Sequence, residues 1–276
     1  MAEPTPDDEA ELEASKAPLL EHLVELRNRI IRSMIAFLVC FILCFAFARP
    51  IFEFLTDPLA HALAGQPNRH MIFTALYETF FTYVKVGMFG ALCIAFPFMA
   101  AQLWLFIAPG LYKHERRAFM PFLLATPFMF ILGAAFVYYL MLPRAIQFFL
   151  GYETPGGAGT LPIELEARVG EYLSFVMTLI FAFGFCFELP VLLMLLGRVG
   201  IVTSKGLAGA RRYAIVGVFA LAAVVTPPDV FSQLSLAFPL VGLYEISILG
   251  VKLIERQRAK ADAAAAAAAA RNVQAT

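Results

Sequence analysis

Apolar positions along this chain fall into long blocks, and short polar stretches between them carry most of its charge. Six blocks stand out: about Ile30 to Ala48, Glu78 to Ala108, Ala118 to Leu142, Gly170 to Gly197, Tyr213 to Val225 and Phe231 to Val251. A helix rises about 1.5 Å per residue, so some 20 apolar residues cross a ~30 Å hydrocarbon layer. The pattern predicts an all-α integral membrane protein with six transmembrane helices. The blocks are unequal. The second has 31 residues; at about 46 Å it must tilt, kink at Pro97 or protrude. The fifth has 13 residues, about 20 Å. Ser232, Gln233, Ser235 and Glu245 interrupt the sixth. Two short helices, five and six, predict a locally thinned bilayer beside them.

Between the blocks, composition shifts sharply. Residues 1–17, rich in Asp, Glu and Pro, form a disordered acidic segment. Pro18 opens a short amphipathic helix with Leu19, Leu20, Leu23 and Leu26 on one face, running into the first span. The loop after Arg49-Pro50 has turn signals at Asp57-Pro58 and Gly65-Gln66-Pro67-Asn68. Its Ile51, Phe52, Phe54, Leu55, Leu59 and Leu63 predict helical pieces resting at a membrane surface. Pro121 and Pro127 interrupt the third span, and a Gly/Pro-rich loop runs from about Pro143 to Arg168. A basic connector, about Arg198 to Arg212, precedes the fifth span. The membrane domain covers 18–253. The low-complexity tail, 254–276, with eight alanines from Ala263, is a helical extension or disorder.

Composition agrees with the pattern: 61% of residues are hydrophobic, 15% are charged and the mean hydropathy is +0.76. A soluble domain is about 45–50% apolar. Net charge is zero, so no overall field attracts nucleic acid. Placement of charge says more. Sixteen of the 21 Lys and Arg residues lie at the termini and on the two connectors of their side; four lie opposite, and Lys85 sits near a span end, where it can snorkel. The positive-inside rule puts both termini in the cytoplasm. The acidic, polar beginning lacks the features of a secretory signal. Cys40, Cys44, Cys93 and Cys186 lie in apolar runs, and His22, His61, His70 and His114 are scattered, so packing is expected, with no metal or disulfide. No nucleotide loop, cofactor fingerprint or nucleophile–base pair is present, and neither an enzyme nor a cofactor is expected.

Candidate chemistry lies in acids at three depths. Glu188 stands ten residues before Arg198, hence about 15 Å deep, near the bilayer centre. An ionised group there costs at least ~2.5 kcal/mol, so it must face protein. Pro190, two residues on, cannot donate to the Cys186 carbonyl. Either an internal hydrogen bond or a docking point for a partner helix or transported group accounts for Glu188. Gln233 and Glu245 join this intramembrane layer. Glu25 lies at the mouth of the first helix, spaced to pair with Arg29 at i, i+4. Glu115, in YKHERR, is a solvated loop charge or a site. Asp229, after Pro227-Pro228, most simply caps the sixth helix. Arg27, by position, anchors the first helix at headgroup level.

LLEHLVELRNRI, FIAPGLYKHERR, YLSFVMTLIFAFGFCFELPV and TPPDVFSQ, in this order and separation, resemble the TatC family, the receptor subunit of the twin-arginine protein translocase. The resemblance covers about Pro18 to Leu253. It implies a cupped six-helix fold in the bacterial inner membrane. It also implies recognition of folded cargo through signal peptides bearing consecutive arginines, with Glu25 and Glu115 as the matching acids and Arg27 shaping the patch. A planar guanidinium can meet a carboxylate bidentately, which an ammonium cannot. Further implications are TatA/TatB-type single-span partners, with Glu188 as their main polar contact and Gln233 and Glu245 as weaker ones, a homo-oligomer within the complex, and transport driven by the proton-motive force. The alternative is a proton-coupled small-solute transporter using Glu188 as its carrier group.

Overall fold

A computed structural model describes residues 6–64, 69–107, 116–157, 161–226 and 230–274. Among the described residues the chain is helical: α1 (Pro6–Ala46), α2 (Ala48–Ala62), α3 (Glu78–Ile107), α4 (Arg116–Phe136), a π-helical segment (Val137–Met141), α5 (Leu142–Leu150), α6 (Val169–Phe187), α7 (Leu189–Val199), α8 (Ser204–Val225) and α9 (Val230–Gln274). Six stretches are long and apolar enough to cross a membrane: His22–Ala46, Glu78–Phe106, Pro121–Leu150, Val169–Val199, Ser204–Val225 and Ser232–Lys260. The six-span expectation stands, and the differences lie at helix ends.

The chain divides into two units, Met1–Ile51 with Tyr83–Ala118, and Phe52–Thr82 with Phe119–Thr276. In the first, α1 and α3 approach closely through small residues. A Cβ on Gly87 would lie 3.1 Å from the Phe45 Cα, and one on Gly90 would lie 3.3 Å from the Cys44 Sγ. Small residues at such crossings let helix backbones gain packing contacts, the main attraction available in lipid. The opposite side of α1 is bare, with Ile31, Ile35, Leu38 and Ile42 exposed. The helix starts at Pro6, within the acidic segment.

In the second unit, α4 and α6 interlock. Phe130 packs over Gly184, and Gly133 faces the Phe183 carbonyl, where a Cβ would lie only 2.6 Å away. Leu207, Tyr244, Ile248 and Val251 form a further buried cluster, with Leu189, Leu193 and Met194 packed against it. The loop helix α2 is one 15-residue element containing Pro58. Leu55 and Leu59 are buried. The Tyr138 hydroxyl donates to the Phe54 carbonyl at 2.8 Å, and the Tyr172 hydroxyl donates to the Leu55 carbonyl at 3.2 Å. This side of α2 therefore rests on protein.

Three boundaries differ from the sequence reading. The third span does not stop at Leu142: α5 continues it to Leu150. Pro143 occupies the first turn of α5, where its missing N–H costs little, and the π segment directly precedes it. The fifth helix starts at Ser204 and has 22 residues, reaching about 33 Å, so helix length alone gives no reason for a thinned bilayer. Thr203 caps it by accepting from the Gly206 amide at 3.1 Å, and Glu255 accepts from the Ser204 amide at 2.8 Å. The sixth helix runs 45 residues to Gln274, so the alanine-rich tail takes the helical alternative through that residue.

The loops between spans are tied down. Ile72 pairs with Arg168, and Thr154 pairs with Ile163, as isolated β-bridges. Arg69 donates to both oxygens of Glu153, at 2.7 and 2.9 Å, and to the Leu165 carbonyl. The Leu165 amide donates to Glu153 at 2.8 Å. These donors hold the Glu153 carboxyl below its ordinary range, and Glu153 holds Arg69 above its own.

Candidate functional site

The first polar group lies where α1 enters its apolar run. Residues 22, 25 and 29 fall on one helix face by their i, i+3 and i, i+4 spacing. The Arg29 Nε donates to Glu25 Oε1 at 3.0 Å, and its Nη2 donates to the same oxygen. The Arg29 Nη1 faces Gln102 Oε1 of α3 at 3.5 Å. The second Glu25 oxygen, Oε2, lies 3.7 Å from His22 Nδ1. The His22 ring stacks on Phe106 with centroids 4.3 Å apart and planes within 14°. The Glu25 side chain is 34% exposed and that of Arg29 is 17% exposed. One carboxylate oxygen is thus occupied by the chain's own guanidinium, while the other is held only loosely. The pairing foreseen from spacing forms. Arg27 is exposed, with the Asn28 side chain 3.5 Å away. Glu115 lies outside the described residues, so no convergence of Glu25 with Glu115 is described.

The second group surrounds Glu188, where the fourth span breaks between α6 and α7. Its amide donates to the Phe185 carbonyl at 3.1 Å, a tightened i→i−3 bond, before Pro190 opens the first turn of α7. Pro190 therefore ends one helix and starts the next. Both Glu188 carboxylate oxygens are buried, and neither reaches a hydrogen bond of ordinary geometry. The Thr126 hydroxyl and the Phe130 backbone are the polar groups acting on it.

The other intramembrane candidates have partners. Gln233 donates to the Phe219 carbonyl at 3.3 Å. Glu245 receives Arg211 Nε at 2.7 Å and its Nη2 at 2.8 Å. The sequence reading puts Arg211 on a connector; because α8 begins at Ser204, it instead lies about two turns inside the helix and meets α9. Glu188, Gln233 and Glu245 each have their own surroundings in this unit. Asp229, Pro227 and Pro228 lie outside the described residues. Spacing alone does not single out His22, Gln102, Phe106, Thr126 or Arg211 as members of these groups. A glutamine inside an apolar run, as at 102, is the available signal.

A family profile described as Sec-independent protein translocase protein (TatC) matches residues 21–239. The chain is 50% identical over 248 residues to the Sec-independent protein translocase protein TatC of Magnetococcus marinus, covering 90% of this chain and 89% of that one. It is 39% identical to the protein of the same name from Escherichia coli, covering 84% and 86% respectively. A crystal structure of a twin arginine translocase receptor, TatC, matches at a TM-score of 0.72 and 40% identity, covering 85% of this chain and 99% of that one.

Proposed function

The chain belongs to the TatC family, the multi-pass membrane component of the Sec-independent protein translocase, and from that premise we propose that it receives twin-arginine signal peptides through Glu25. The supporting observation is the Glu25 carboxylate itself. It is partly exposed at the end of a span, and among the described residues Oε2 is engaged by His22 at 3.7 Å. A peptide guanidinium taking this carboxylate from Arg29 would form a charge-assisted, directional pair. Glu115 supplies the second carboxylate for the adjacent arginine, and Arg27 shapes the patch. The apolar part of the signal peptide lies along the helix surface.

Both termini face the cytoplasm of a bacterial inner membrane, a placement supported by the sixteen-to-four distribution of basic residues. Glu188 contacts TatA/TatB-type single-span subunits, with Gln233 and Glu245 as secondary contacts. The chain acts without a cofactor or catalytic step, as a scaffold for homo-oligomers and partner subunits, and the proton-motive force drives export of folded cargo.

Binding of a labelled twin-arginine peptide to the purified protein tests this reading. Changing the pair to Lys-Lys should weaken binding about tenfold or more, the scale of one lost charge-assisted hydrogen bond. Glu25→Gln should cost a similar factor. Indifference to both changes contradicts the reading.

A further inference from the structure

Arg29 already brings to Glu25 the chemistry that a peptide arginine would bring. Its Nε and Nη2 both engage Glu25 Oε1, while its Nη1 is turned toward Gln102 Oε1 at 3.5 Å. The guanidinium therefore stands between two acceptors, one charged and one neutral. We propose that Arg29 is a built-in competitor: it occupies Glu25 while no peptide is bound and moves fully onto Gln102 when a peptide guanidinium takes its place. The proposal rests on Glu25 being the arginine-binding carboxylate.

The exchange conserves the type of contact on Glu25. The guest gains a charge-assisted pair, and Arg29 falls back to an uncharged amide oxygen, a weaker acceptor. Gln102 softens that loss because its oxygen is already within reach, so only the end of the Arg29 side chain has to move. It also keeps a mostly buried guanidinium from being left without an acceptor, which would be costly. Apparent affinity is intrinsic affinity reduced by the fraction of Glu25 that is vacant. This reduction applies equally to any cationic guest. Arg29 therefore raises the affinity a peptide needs in order to be captured, without itself distinguishing arginine from lysine. That distinction stays with Glu25 and its geometry.

The test uses the full-length protein and two peptides, one with Arg-Arg and one with Lys-Lys. Arg29→Gln should tighten both by a similar factor, about two- to tenfold, leaving their ratio unchanged. Gln102→Leu should weaken both peptides in the native background and have little effect once Arg29 is replaced. Arg29→Lys, which keeps the charge but not the fork, should fall between the native protein and Arg29→Gln and serves if the latter folds poorly. Weaker or unchanged binding in both Arg29 variants overturns the competitor proposal, since a residue that merely orients Glu25 would act that way. A changed Arg/Lys ratio overturns it too, because Arg29 would then be reading the peptide. Unchanged binding in Glu25→Gln instead removes the underlying reading, an outcome that involves no Arg29 variant.

Discussion

Glu188 and Glu245 show how differently two carboxylates in one membrane domain are accommodated. Glu245 holds a cation from the neighbouring helix, whereas both Glu188 carboxylate oxygens are buried without an ordinary hydrogen bond among the described residues. Glu188→Gln keeps volume and hydrogen-bonding capacity; it should leave peptide affinity within about twofold and reduce recovery of single-span partner subunits on copurification. The Arg211 and Glu245 side chains are 49% and 43% exposed, so their coupling should stay below about 1 kcal/mol in a double-mutant cycle read by thermal unfolding. At this scale the sequence reveals contacts set by local spacing. Glu25 and Arg29 are four apart on one helix, and their pair is foreseeable. Gln102 and Phe106 meet that cluster only because α3 packs on α1, and no spacing encodes that. Arg211 is hidden for another reason: the basic run around it looks like a connector, which masks its helical position opposite Glu245.

Among elements, the α4–α6 contact leaves least room. A Cβ at Gly133 would press on the Phe183 backbone carbonyl at 2.6 Å, which cannot rotate away as a side chain could. Gly133→Ala should cost about 1–3 kcal/mol, seen as a lower melting temperature of the purified protein. Gly217, in α8, has nothing within 4 Å of its would-be Cβ; Gly217→Ala should be neutral or stabilising by up to about 1 kcal/mol in the same assay. The helices themselves are legible because hydrophobic blocks of this length admit few alternatives. Their ends are harder. Pro143 resembles a stop signal yet opens α5 behind a π segment, and the polar start of α8 resembles a connector until the Thr203 and Glu255 caps are seen. The loops look like turns and give no sign of the Arg69–Glu153 fastening, whose partners are 84 residues apart.

Across the whole molecule, the loop fastening carries pH dependence. Glu153 titrates below its unfolded value because Arg69 and the Leu165 amide hold its charged form. Its contribution is therefore present above the unfolded pKa, about 4.3, and is lost as pH falls through the lower folded value. Hydrogen exchange in residues 150–168 should be faster in Glu153→Gln than in the native protein at pH 7, and the two should converge as the medium is acidified below about pH 4. The central claim, that the mouth of α1 receives the arginines, is tested most directly by photo-crosslinking a twin-arginine peptide to probes placed at positions 24 and 188 in native membranes. Capture at 24 that disappears on Glu25→Ala and persists on Glu188→Ala is the expected result. Capture at 24 that survives Glu25→Ala, or is lost equally in both variants, would contradict it.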